Sequence, residues 1–134
     1  MNYWLLLADP KAYSFDQLQA DGRTVWDGIS GSLAQKRLRT FKKEDRALIY
    51  HTAPDKAVIG TAQVLSDPRP DPKDETGRLV VVDVEATSRL KNPVSLDALK
   101  KNNKLANMSF LKIQRIAVAP LEKAEFDEIL RMGA

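Results

Sequence analysis

The chain has 134 residues, of which 43% are hydrophobic and 29% charged, with a formal net charge of +3, the size and balance of one ordinary globular domain. It holds no cysteine and one histidine, His51, which excludes disulfides, a thiol nucleophile and zinc sites built from Cys and His; the lack of cysteine fits a reducing compartment. No apolar run approaches the roughly 20 residues of a membrane helix and no signal-peptide pattern opens the chain, so a cytoplasmic protein without a membrane partner is expected.

Residues Asn2–Ala8 (NYWLLLA) predict a buried strand that Asp9-Pro10 ends. Ser14-Phe15-Asp16-Gln17 has the form of a capping box, opening a short helix to about Ala20 that Asp21-Gly22 closes. Arg23–Ser30 reads as irregular. Gly31–Phe41 predicts a helix with Ala34, Leu38 and Phe41 on its buried stripe and Lys36, Arg39 and Lys43 on another face. Arg46–Thr52 and Ala57–Leu65 read as two strands around Pro54-Asp55. Asp67–Gly77, with three prolines and no apolar residue, reads as an exposed loop. Leu79–Leu90 predicts a long strand with one wet side, broken at Asn92-Pro93. Ser95 caps a short helix, Lys112–Leu121 is a last strand, and Glu122–Met132 is a terminal helix with Phe126, Ile129 and Leu130 inward. Strands scattered among short helices, without regular alternation, imply an α+β fold: a small mixed sheet curled toward a barrel, with helices at its ends, forming a single domain over 1–134.

Three constellations can carry chemistry. The first is the turn Trp26-Asp27-Gly28-Ile29-Ser30, ahead of a basic helix. Its glycine-rich backbone and the N–H groups of the helix start can meet an anion, although the lysine of a P-loop is missing. Trp26 is either a core residue or a stacking platform for a flat ring. The second is His51 at a strand end, either a hydrogen-bonded structural histidine or the base of a small hydrolase, for which no nucleophile motif is present. The third is the acids Asp83 and Glu85, which share a strand face that reads as solvated. No catalytic set, metal site or cofactor follows from these patterns. The charge is unevenly spread. Two windows, between Asp27 and Glu44 and between Asp97 and Glu122, contain no acid and five bases each. Such windows suit either a polyanion-binding surface or plain solvated faces.

The series Tyr3-Trp4-Leu5, Asp9-Pro10, Tyr13-Ser14, Trp26-Asp27-Gly28, Tyr50-His51-Thr52, Pro70-Asp71-Pro72, Pro93-Val94-Ser95-Leu96 and Arg115-Ile116-Ala117-Val118-Ala119-Pro120 resembles the EVE domain in order and spacing over essentially the whole chain. The resemblance implies a PUA-like fold, a curled sheet of about five to six strands with peripheral short helices. It also implies kinship with YTH and other modules that read RNA or modified bases, and hence a non-enzymatic reader of a modified base in DNA or RNA. On that reading Trp26 and Tyr50 wall the base. Ser14, Asp27 and Thr52 make polar contacts, the backbone of Gly28, Ile29 and Ser30 meets the base edge or a phosphate, and Lys36, Arg39 and Arg115 hold the nucleic-acid backbone. A sensor of a free nucleobase-like ligand, or a protein-interaction module, is the alternative. The chain departs from the family's usual W-D-G-V-R-N-Y run at Ser30, Gly31 and Ser32, and also at Leu7, where a lysine is usual, and at Arg69, where a tyrosine is usual. These departures fall on the rim of the implied pocket.

Overall fold

Strands β1 (Tyr3–Ala8), β2 (Arg23–Trp26), β3 (Arg46–His51), β4 (Ala57–Val64), β5 (Arg69–Pro70), β6 (Val80–Ser95) and β7 (Val118–Leu121) form a seven-stranded mixed sheet in the computed structural model, which describes residues 1–113 and 116–134. The order is β2-β6-β4-β3-β1-β7, with the two-residue β5 also paired to β6. Only β1 and β3 run parallel, joined in register from Tyr3↔Arg46 to Ala8↔His51. The helices are α1 (Phe15–Asp21), α2 (Ser32–Leu38), α3 (Leu96–Lys101), α4 (Ser109–Lys112) and α5 (Lys123–Met132), with a 3-10 turn at Asn103–Leu105. This is the mixed α+β architecture that the sequence implies, a curled sheet that stops short of closing. Among the described residues no helix is long and apolar enough to cross a membrane.

Alternation along the strands splits the core in two. Trp4, Leu6 and Ala8 of β1, with Ala47 and Ile49 of β3, face a cluster that takes in Phe15 and Leu18 of α1, Ala34 and Leu38 of α2, and Trp26. Leu5, Leu48 and Tyr50 face the opposite cluster, with Leu99 of α3, Phe110 of α4 and Phe126 and Ile129 of α5. Buried Asp45 fastens the start of β1: its carboxylate accepts from the Asn2 N–H (2.9 Å), the Trp4 indole N–H (3.0 Å) and the Lys42 N–H (3.0 Å). Trp4 in turn stacks on Phe41 at 4.4 Å.

Several expected elements are corrected. Arg23–Trp26 is a strand, paired from Arg23↔Glu85 to Trp26↔Val82; four residues are too few to show a period. The helix from Ser32 stops at Leu38 rather than Phe41, because the Thr40 N–H and hydroxyl both turn back to the Arg37 carbonyl (2.9 and 2.7 Å). Lys43 therefore leaves the face of Lys36, and its N–H donates to Asp67 instead (2.9 Å). The strand at Leu79 does not break at Pro93. It runs for 16 residues to Ser95, absorbing Leu90–Pro93 as a bulge between the pairs Gly60↔Arg89 and Val58↔Val94, where a proline is tolerated. The last strand is short, Val118–Leu121, and Lys112 belongs to α4. The capping box at Ser14 and Gln17 forms as predicted, with both reciprocal bonds present, as does the Ser95 cap, whose hydroxyl accepts from the Ala98 N–H at 3.1 Å.

Two predictions follow from this packing. A methyl placed at Gly60 would lie 2.3–2.7 Å from the Phe15 ring. Gly60→Ala should therefore lower stability by about 1–3 kcal/mol in urea titrations, as overpacking does. The Glu128 carboxylate is held down to a pKa of about 2, first by Arg131, whose guanidinium donates twice at 2.7 Å, and then by Asn102. An acid held below its ordinary value, 4.5 here, favours the folded state above that value and loses its contribution as the pH falls toward 2. Glu128→Gln should flatten that part of an acid-denaturation curve.

Candidate functional site

The sheet departs from a closed barrel at a seam. β7 pairs with β1 over Tyr3–Leu6, and one further bond runs from the Leu7 N–H to the Ala117 carbonyl (2.9 Å), so β1 lies open beyond Leu7, and β2 is the edge of the sheet on the far side. Between them is a cavity of about 480 Å³ lined by Leu7, Ala8 and Asp9, by Ala12 and Tyr13, and by Thr24, Val25, Trp26, Asp27 and Gly28. That volume suits a small organic group.

Three local devices shape the cavity. Asp9 organises the loop after β1: its carboxylate accepts from the Lys11 N–H (2.9 Å), and its carbonyl from the N–H groups of Ala12 (2.9 Å) and Tyr13 (2.8 Å). Tyr13 is thereby turned toward Trp26, edge to face, with ring centroids 6.3 Å apart and planes at 79°. The Tyr13 hydroxyl donates to Asp21 at 2.6 Å. Burial and that carboxylate push its pKa above the usual phenol value, so it stays a neutral donor. On the other side, Gly28 turns the chain with φ +78°, a conformation costly for any residue with a Cβ. Buried Gln35 then clamps the turn to β6, donating to the carbonyls of Ile29 (2.6 Å) and Val80 (3.2 Å) while accepting from the Val80 N–H (2.9 Å).

The remaining anchor is His51. Its Nε2 accepts the Phe15 N–H at 2.9 Å, and its Nδ1 lies 2.9 Å from an Asp55 carboxylate oxygen. An acceptor Nε2 assigns the proton to Nδ1, donated to Asp55. The ring thus satisfies an otherwise orphan N–H in the first turn of α1 and fixes that helix, and the Tyr13 loop before it, on the end of β3. The bland reading of His51 as a structural histidine is what this geometry supports. Thr52 does similar work one residue on, its N–H and hydroxyl both reaching the Ala8 carbonyl (2.9 and 3.4 Å).

The residues expected to bind a base are thus only partly brought together. Trp26, Asp27 and Gly28 line the cavity. Ile29 is buried beside Trp26, its carbonyl taken by Gln35, and Ser30 is exposed just beyond. Ser14 spends its side chain capping α1, and Thr52 spends its own on Ala8. Tyr50 is misassigned. It is 3% exposed on the opposite face of the sheet, packed on Phe110 at 4.8 Å, because side chains alternate along β3 and Tyr50 falls out of phase with Ile49. The second aromatic wall is Tyr13 instead. Its place beside the capping-box serine was the available signal. Trp26, 8% exposed, is both core residue and cavity wall.

The cations also divide. Lys36 and Arg39 sit on and just after α2, beyond the rim turn, both exposed, and Arg39 donates to the Arg78 carbonyl. Arg115 lies outside the described residues. Lys100, Lys101, Lys104 and Lys112 belong to elements packed on the other face, so the described bases of the two windows do not make one surface. At the rim itself Asp27 pairs with Lys73, 3.3 Å away, from the proline-rich loop. Of the acid pair on β6, Asp83 accepts from Arg69 at 2.9 Å.

Comparison with known proteins places this geometry in company. A family model described as EVE domain matches residues 2–132. Thymocyte nuclear protein 1 of Rattus norvegicus is 30% identical over 98% of this chain and 73% of its own length. The NMR structure of Rpa0253 from Rhodopseudomonas palustris aligns with a TM-score of 0.94 at 34% identity, covering 99% of this chain and 93% of that one. A crystal structure of the human THYN1 protein in complex with DNA containing 5-methylcytosine has the same fold, with a TM-score of 0.88 at 24% identity over 99% of this chain and 98% of its own.

Removing the anchor should show its worth. His51→Ala strands the Phe15 N–H and empties the space beneath α1, so it should lower stability by about 1–3 kcal/mol in denaturant titrations.

Proposed function

Since the chain belongs to the EVE domain family, we propose that it is a nucleic-acid-binding module, and that the seam cavity holds a modified base taken out of its stack. The observation that carries this reading is the cavity itself. Two aromatic rings, Trp26 and Tyr13, stand at its walls, and its side-chain polar groups include two carboxylates, Asp9 and Asp27. Flat rings stack on aromatic walls, at about 1–3 kcal/mol per base. Carboxylates accept hydrogen bonds, so they favour a base edge that carries an amino group, as cytosine and adenine do. The complex of human THYN1 with 5-methylcytosine DNA supports the same class of ligand. Lys36 on the helix into which the rim turn leads, and Arg39 just after it, are suited to hold phosphates without reading sequence. His51 is committed to a backbone N–H and an acidic partner, so the arrangement offers no support for a hydrolase that uses it.

A binding panel of modified and unmodified oligonucleotides at two salt concentrations tests the proposal. Affinity should fall with salt as phosphate contacts are screened, and oligonucleotides with a methylated base should bind tighter than their unmodified partners. Tyr13→Ala and Trp26→Ala should each lose about tenfold of that preference, the scale of one stacking contact, while retaining salt-dependent binding. Because Trp26 is largely buried, its replacement opens a void that costs about 3–5 kcal/mol, and circular dichroism must show that variant folded. Unchanged preference in both folded variants would sink the cavity assignment.

A further inference from the structure

The hydrogen bonding of β6 says which way the backbone of β2 faces. The Asp83 carbonyl accepts from the Leu65 N–H (2.7 Å) and its own N–H donates to the Ser66 hydroxyl (3.0 Å), so Asp83 is turned to the β4 side. Backbone groups alternate in direction along a strand, which leaves Val82 and Val84 to bond β2; the Ala86 N–H, two further on, donates to the Gly22 carbonyl as that alternation requires (3.2 Å). With the pairs Thr24↔Val84 and Trp26↔Val82, Thr24 and Trp26 are bound into the sheet. Val25 between them therefore turns its N–H and its C=O to the open edge. β2 is the last strand on that side, Val25 lines the cavity, and no hydrogen bond reaches either group from the described residues outside the sheet ladder.

We propose, resting on the base-binding reading above, that the Val25 N–H and C=O are the groups that bind the Watson–Crick edge of the extruded base. An extended residue offers a donor beside an acceptor, and that edge of a nucleobase offers an acceptor beside a donor, so the two meet as strands in a sheet do. For cytosine, ring N3 takes the Val25 N–H and the amino group donates to the Val25 carbonyl. Trp26 follows directly in the chain, so the edge contact and the stacking wall come from adjacent residues on one short strand. A base bound by this edge cannot be paired at the same time, so the site takes bases out of a duplex or from a single strand. The seam is then completed by the ligand, which occupies the place of a missing strand.

The test follows the amide itself. In nitrogen-15 NMR hydrogen exchange, the free protein should show a fast Val25 amide between slow Thr24 and Trp26 amides. Saturation with a duplex oligonucleotide containing 5-methylcytosine should slow Val25 selectively. An oligonucleotide carrying 3-deazacytosine, which has C–H in place of the acceptor nitrogen, should bind about tenfold more weakly, the scale of one lost hydrogen bond. Val25→Pro removes this N–H together with the valine side chain, and proline is accepted on an edge strand where the N–H is unpaired. That variant should fold and lose about tenfold in affinity for the modified oligonucleotide, whereas Val25→Ala should bind as wild type. Binding with no slowing of Val25, or undiminished binding by a folded Val25→Pro, overturns this proposal and leaves the base-reading function standing. Absence of binding to every oligonucleotide in the panel overturns both. Should the proline variant not fold, the exchange measurement on the wild-type chain decides.

Discussion

The curl of the sheet depends on β6. At 16 residues it is long enough to pair with β4 from Val84 to Ser95, take β5 at its first residues, and still hold β2 on its other edge. It is not regular: the pairing with β4 shifts between Val58 and Gly60 and again between Thr61 and Ala62. Each such shift bends a strand and adds twist, and the summed bend carries β2 round toward the end of β1. Had β6 been straight, β2 would extend a flat sheet and its free edge would face solvent. Bent, it faces Leu7–Asp9 across a gap. The gap persists because the chain leading into β7 last bonds β1 at Leu7, through the Ala117 carbonyl, and supplies no strand beyond it.

The close approach at Gly60 belongs to the same construction. Phe15, the first residue of α1, lies against Gly60 on β4, where a side chain would meet its ring. The His51 ring holds the Phe15 N–H from β3. The helix that follows the Tyr13 loop is thus seated by a contact in which nothing stands between ring and backbone, and by one hydrogen bond. The Tyr50-His51-Thr52 run serves through its last two members, which tie α1 and β1 in place, while Tyr50 faces away into the other half of the core.

Much of this was legible in the sequence, for reasons that can be named. The capping box at Ser14, the cap at Ser95, and the long strands β3 and β4 rest on patterns confined to a few neighbouring residues. The scatter of strands among short helices already implies a small curled mixed sheet, and the resemblance to the EVE domain implies the same architecture. What was not legible depends on partners distant in the chain. β2 is a strand because β6 pairs with it, and β6 runs through Pro93 because the bulge at Leu90–Pro93 frees the backbone there, the Asn92 N–H donating to the Gly133 carbonyl instead (3.0 Å). The resemblance points Tyr50 at the pocket, whereas its burial is decided by strand phase. Tyr13 reaches Trp26 only because Asp9 folds the intervening loop on itself. The basic windows look alike along the chain, yet the sheet separates their described bases onto its two faces.

The clamp by Gln35 has a consequence for how the cavity is entered. The rim turn after Trp26 is tied to β6 through three hydrogen bonds of one buried side chain, and the opposite rim is tied by Asp9 to its own loop. Neither rim is built as a flap. An occupant meets walls already in position, so little ordering of the protein accompanies its arrival, and selection falls on shape at the moment of entry rather than on closure afterwards. Such a receptor is a gauge: it spends its selectivity on what fits between fixed jaws.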